Sequence, residues 1–355
     1  MVDWRAQIEA WLQKIAPFAN EIDGDADKLK TVLQQMGDRS WLALKVSQEL
    51  GGMGVSEAEY RRLQISLART SGALTFLQTQ HQSAVSKLAQ SRNDTLRSRF
   101  FPHVAQGKPM VGVGFSHLRR RGQPMVRATK LKAGGYELSG NVPWITGYGF
   151  FDWFILGATL EDGKEIYGLL PFAEREKSVK ITCSQPMQLL AVAASNTVSA
   201  EIDRWYLSEA DLVSINPPGS IHQSSKQNIL NHGFYALGCA YAGLDILEDI
   251  AQKKQLGFLH SSADSLKSEI KAREQQALDF IANPQITYAQ KLQLRAETID
   301  LAQRCSLAAV TASSGAANYL HSNVARVYRE ALLFTVSGQT TDVMAASLKT
   351  LTINN

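Results

Sequence analysis

The feature that most constrains the fold is a switch in apolar periodicity from helical to strand-like and back along the 355 residues. From Trp4 to about Gly107 the spacing is helical, with Trp4, Ile8, Trp11 and Ile15 on one face. Leu42, Leu44, Val46 and Leu50 are expected to form a further helical segment before Gly51-Gly52-Met53-Gly54. From Met110 the pattern becomes short β-branched and aromatic runs between glycine turns: Met110 to Phe115, Tyr136 to Ser139, Phe151 to Ala158, Glu165 to Leu170, Val179 to Cys183 and Thr197 to Val213. Asn216-Pro217-Pro218-Gly219 breaks that pattern. No proline then occurs from Gln223 until Pro284, and Ala, Leu, Gln and Glu dominate, as in long packed helices. The expected organisation is an N-terminal α-helical domain over 1–109, a central β-barrel-like domain over 110–215 and a C-terminal four-helix bundle over 216–355. The run of small residues from Ala308 to Ala317 suits close helix packing.

Composition removes several classes. Hydrophobic residues at 45% and charged residues at 20% exclude a disordered, collagenous or coiled-coil chain. The net charge of +4 is spread along the chain, and Arg119-Arg120-Arg121, its one uninterrupted basic run, has Phe115 as its single aromatic neighbour within six positions. A nucleic-acid reader places several aromatics beside its basic residues, so no nucleic-acid partner is expected. Cys183, Cys239 and Cys305 are far apart, form no CxxC and point to a reducing cytoplasm. Asp3, Arg5 and Glu9 stand where a signal peptide needs an apolar core, and Gly147, Gly149 and Asp152 interrupt the most apolar stretch, so neither export nor membrane insertion is expected.

Common catalytic motifs fail on specific residues. Gly112-Val113-Gly114 begins a dinucleotide fingerprint but has His117 in place of its third glycine, and no parallel βαβ pattern follows. Gly114-Phe115-Ser116-His117-Leu118 begins a nucleophile elbow but ends in leucine. The seven histidines contain no HExxH and no metal-ligand spacing.

Longer segments resemble the acyl-CoA dehydrogenase superfamily. Glu49-Leu50-Gly51-Gly52-Met53-Gly54 is similar to its "E-x-GG-x-G" segment, and Phe100-Phe101-Pro102-His103-Val104-Ala105-Gln106-Gly107 to its "Y-L-P-x-L-A-x-G". The stretch from Tyr136 to Thr146 matches "Y-x-L-x-G-x-K-x-W-I-T" with the lysine lost, and that from Val324 to Ala331 is similar to "V-E-R-x-Y-R-D-A". The resemblance implies a flavin-dependent oxidoreductase that binds FAD, oxidises an acyl thioester such as an acyl-CoA, and assembles as a homodimer or homotetramer. It places Trp144, Ile145 and Thr146 against the flavin ring, with Phe115, Ser116 and Thr340 as further cofactor contacts.

Departures from the family pattern bear on the chemistry. The "T-E-x-x-A-G-S-D" loop is rebuilt as Phe115 to Gly122, which brings in Arg119 to Arg121, groups suited to phosphate or carboxylate. The "R-x-x-F-G" motif appears as Lys253-Lys254-Gln255-Leu256-Gly257. Glycine, Gly338, stands where the family carries its catalytic glutamate, and the alternative glutamate position falls near Asn228, with Asn231 and His232 one turn away. The catalytic base is therefore unassigned, with His232 the one candidate. A flavin monooxygenase using reduced FMN, or a non-catalytic relative without cofactor, are the alternative readings. Glu330, in place of the family's Asp, is expected to pair with a nearby cation.

Overall fold

The computed structural model describes residues 3–172 and 181–352. Six helices come first: α1 (Trp4–Ile15), α2 (Ala19–Gly24), α3 (Ala26–Asp38), α4 (Glu57–Thr70), α5 (Gly72–Ala89) and α6 (Asp94–Phe100). Local chemistry fixes where they start. Ser56 and Glu59 form a capping box at α4, and the Ser71 hydroxyl accepts the Leu74 N–H at α5. The stretch expected to be helical around Leu42 is instead irregular, apart from a short 3₁₀ turn at Gln48–Leu50. Leu42, Leu44 and Val46 are all buried, but their spacing of two is not helical, and the Leu42 N–H donates to the Ala105 carbonyl at 3.2 Å.

The central strands are β1 (Val111–Gly114), β2 (Val126–Lys130), β3 (Tyr136–Ile145), β4 (Trp153–Leu160), β5 (Glu165–Pro171), β6 (Ile181–Cys183), β7 (Val198–Leu207) and β8 (Leu212–Asn216). They form one sheet in the order β6-β7-β3-β2-β4-β5-β8, with β1 paired to β4. β1 and β2 run parallel to β4 along the same edge, and β5 lies antiparallel on the other. The sheet curls without closing into a ring: its path ends at β6 and β8, yet Gly168 of β5 packs directly on the Leu207 side chain of β7. The single run expected over Thr197 to Val213 is two strands, because a 3₁₀ turn at Glu209–Asp211 interrupts it. Part of the run expected over Val179 to Cys183 lies outside the described residues; Ile181–Cys183 is a strand. β2 was not anticipated, since Arg127, Thr129 and Lys130 hide the buried pair Val126 and Ala128.

The C-terminal part consists of α7 (Ser220–Gln227), α8 (Asn231–Lys254), α9 (Gly257–Ala282), α10 (Tyr288–Ser313), α11 (Asn323–Val336) and α12 (Thr341–Thr352). α8 is its central rod, packing on α4 and α10. A Cβ at Gly238 would stand 2.6 Å from the Ala68 Cβ, so the close approach of α8 to α4 requires glycine there.

A buried ion pair within α11 reaches across to the start of α5. Glu330 of α11 is fully buried, accepts from Arg326 Nη1 at 2.8 Å on both oxygens, and accepts the Gly72 N–H at 2.9 Å. This is the cation pairing expected from the sequence. Truncation would leave a buried guanidinium and a helix-end amide without partners. Glu330→Ala is expected to destabilise the fold by about 3–5 kcal/mol in urea unfolding; a loss below about 1 kcal/mol would mean that water replaces the carboxylate.

Candidate active site

The ends of β1 and β3 meet. A Cβ at Gly114 would stand 3.3 Å from Ile145 Cγ1, so the residues after Gly114 lie beside those flanking Ile145. Five of the sequence-derived positions, Phe115, Ser116, Trp144, Ile145 and Thr146, are thereby brought together. Their side chains differ in what they offer. Trp144 is 46% exposed and stacks on no other ring among the described residues, instead of filling the core. Ser116 is exposed, and its hydroxyl makes no hydrogen bond among the described residues. Phe115 is half-buried, edge-on to Tyr167 with ring centroids 5.5 Å apart. Ile145 is wholly in the core, and the Thr146 and Thr197 hydroxyls bond each other at 2.9 Å.

The loop leaving Ser116 is anchored from below. His117 donates from Nε2 to the Gly157 carbonyl of β4 at 2.9 Å, and burial pushes its pKa down to about 4, so the ring is neutral. Two residues later the Arg119 Nε donates to Ser225 Oγ of α7 at 2.9 Å. Arg120 and Arg121 are exposed.

A second group forms where α7 gives way to α8 and α11 to α12. His232, in the first turn of α8, is hydrogen-bonded through Nδ1 to Ser337 Oγ at 3.0 Å. Its Nε2 makes no hydrogen bond among the described residues and faces Gly338. Gly338 has φ +61°, and a Cβ on it would stand 2.6 Å from that nitrogen. The imidazole therefore fills the space that a side chain at 338 would take. Arg295 of α10 holds the arrangement, donating to the carbonyls of Ile229, Ser337 and Gly338 at 2.9, 2.7 and 3.2 Å.

Burial first, then the charges of Arg295, Arg119 and Arg61, hold the His232 pKa well below the ordinary imidazole value. The ring is neutral at physiological pH, and no carboxylate pairs with it among the described residues. Arg119, three residues past Ser116, is thus close enough to act electrostatically on His232 and links the two groups. Thr340 follows Gly338, but its hydroxyl accepts the Val343 N–H at 3.3 Å and caps α12. The two lysines of the Lys253-to-Gly257 segment are also engaged, Lys253 with Asp249 and Lys254 with the Ala312 carbonyl. A separate cleft of about 660 Å³, lined by Lys30, Asp38, Lys108, Phe150, Trp153 and Phe172, includes none of the candidate residues.

Comparison with known proteins places this geometry. Residues 3–108 match the family model "Acyl-CoA dehydrogenase, N-terminal domain". An acyl-CoA dehydrogenase of Bacillus subtilis is 22% identical over 68% of this chain and 65% of its own, and a 3-(aryl)acrylate reductase of Clostridium sporogenes is 21% identical over 68% and 66%. The matched region thus spans just under two thirds of these two relatives. Among solved structures, a glutaryl-CoA dehydrogenase from Mycobacterium smegmatis in complex with FADH2 superposes with a TM-score of 0.82 at 15% identity, covering 100% of this chain and 96% of that one. Residues 3–108 carry the acyl-CoA dehydrogenase N-terminal domain, and the whole chain has the fold of the acyl-CoA dehydrogenases of known structure.

Within this superfamily fold, the match to the family model stops before β1, so every candidate residue from Phe115 onward lies beyond it. Reasoning from sequence missed Arg295, Ser225 and Ser337. Arg295 carried a readable signal: Leu294, Thr298, Ile299 and Ala302 surround it on the buried face of α10, an unusual place for a guanidinium.

The contact between residues 232 and 338 gives a direct prediction. Gly338→Ala is expected to cost about 2 kcal/mol or more, from positive φ and from the imidazole together. In a His232→Ala background the cost is expected to fall by at least about 1 kcal/mol, leaving the backbone part. Equal costs in the two backgrounds, measured by urea unfolding, would mean that the contact does not form.

Proposed function

We propose that the chain is a flavin-dependent oxidoreductase that binds FAD and acts on an acyl thioester or a related acyl substrate. The observation that carries the reading is the meeting of the β1 and β3 ends, which brings the segment bearing the exposed Trp144 ring next to the one bearing the exposed Ser116 hydroxyl. A free aromatic face and a free hydroxyl fit a flat, hydrogen-bonding ring system. The names of the relatives, an acyl-CoA dehydrogenase and an arylacrylate reductase, lend support. FAD, when bound, supplies the hydride chemistry.

The residues of the chain then take distinct roles. Trp144 and Ser116 would hold the flavin, the first by stacking and the second by a hydrogen bond, while Phe115 backs the loop. Ile145 anchors the strand in the core, and Thr146 is pinned by Thr197. Thr340 fixes the start of α12 beside Gly338. His232 is the proton-handling group: it is neutral, oriented by Ser337, and its Nε2 is available. The guanidinium groups that keep it neutral also favour negative charge developing on a substrate carbonyl oxygen.

The same reading carries an assembly and a compartment. α11 presents Tyr328, Leu332 and Val336, and α12 presents Met344, Leu348 and Leu351, all roughly half exposed at helical spacing. These stripes suit a homodimer or homotetramer, and sedimentation at the mass of a single chain would contradict it. Cys239 and Cys305, both buried thiols, fit the cytoplasm. No described helix is long and apolar enough to cross a membrane.

The test is the absorption spectrum after incubation with FAD and gel filtration. About one flavin per chain is expected, and Trp144→Ala is expected to lower flavin affinity about tenfold, corresponding to about 1.4 kcal/mol of stacking. Absence of flavin from the wild-type protein would overturn the reading.

A further inference from the structure

Two cations near the candidate loop form no ion pair among the described residues. Lys87 of α5 is half-buried and lies across the face of Tyr167, its Nζ 3.5 Å from the ring centroid and 5.8 Å from that of Phe115. Arg119 approaches the same tyrosine from the other chain segment; its Nε is held by Ser225, and its two Nη groups make no hydrogen bond among the described residues. The acid in this neighbourhood is Glu165, and it is already engaged. Its carboxylate accepts the Tyr167 hydroxyl at 2.9 Å and the Ile221 N–H at 3.0 and 3.2 Å. It attracts Lys87 without pairing with it.

Desolvating two cations without a partner is unfavourable. Burial pushes the Lys87 pKa down to about 8 and lowers that of Arg119 as well. Arg120 and Arg121 reach solvent within the same loop, so Arg119 is set inward by its own contacts and not by a shortage of exposed space. An anionic group seated between Lys87 and Arg119 would relieve both. The Arg119 fork suits two oxygens at once, the lysine adds a point charge, and the Phe115 and Tyr167 rings keep water from screening them.

We propose that Lys87 and Arg119 form a subsite for an anionic oxygen group of the ligand, a carboxylate or a phosphate, next to Phe115 and Ser116. This deepens the reading given above, since the occupant is taken to be part of the molecule bound there. It narrows the substrate class to ligands that carry a negative charge close to the reacting carbons or in the cofactor-proximal chain.

The test is calorimetric titration of the full chain with two matched pairs: cinnamate against cinnamamide, and phenyl phosphate against phenol. In at least one pair the anion is expected to bind ten or more times tighter than its neutral partner. That preference is expected to fall at least fivefold in Lys87→Gln and in Arg119→Gln, and to be partly kept in Arg119→Lys. The pair showing the preference names the group, carboxylate or phosphate. No preference in either pair, or a preference unchanged in both glutamine variants, overturns the subsite. Circular dichroism and melting of each variant separate loss of binding from loss of fold. Flavin content is measured on the same samples, so the two readings fail separately: protein without flavin that still prefers the anion keeps this subsite and loses the redox assignment.

Discussion

The arrangement depends on one buried guanidinium. Arg295 is 2% exposed and bonds three backbone carbonyls in place of a carboxylate, so it ties the α7–α8 junction to the α11–α12 junction. Those carbonyls belong to helix junctions, where no helical N–H is available to them. A charged donor to each is worth about 1.5–3 kcal/mol. The cost appears in the arginine itself, whose pKa burial pulls down to about 10. The consequence is local geometry: with both junctions held, His232 and Gly338 meet, and no carboxylate has room between them.

The site so formed has an unusual charge balance for proton abstraction. A carboxylate base would start negative and end neutral, whereas His232 starts neutral and would end positive near Arg295, Arg119 and Arg61. That field weakens the imidazole as a base and strengthens the site as a host for negative charge, on a carbonyl oxygen or on a substrate acid. The unpaired cations of Lys87 and Arg119 extend the same field toward Phe115 and Ser116. On the proposed reading, proton handling and anion binding are two results of one distribution of cationic side chains.

How much was legible in the sequence follows from the range of the interactions. The helix, strand, helix order and the partnering of Glu330 were readable because periodicity and motif are local. The helix expected around Leu42 failed because buried residues spaced by two were read as a helical face, while the backbone there bonds Ala105. β2 was hidden because its buried positions are few and its exposed ones charged. The meeting of His232 with Gly338 was not legible: the residues are 106 positions apart, and the glycine shows only an absence. Trp144 was legible as a candidate but not as an exposed ring, because a tryptophan in a strand is as suited to a core as to a ligand face.

The central claim is that the β1 and β3 ends and the His232–Gly338 contact belong to one flavin site. A crystal structure of the protein with FAD tests it most directly. The account predicts the ring on Trp144, within hydrogen-bond reach of Ser116, with His232 Nε2 facing the space beside it. A ring bound in the cleft between Lys30 and Phe172, or His232 displaced from Gly338, would contradict it.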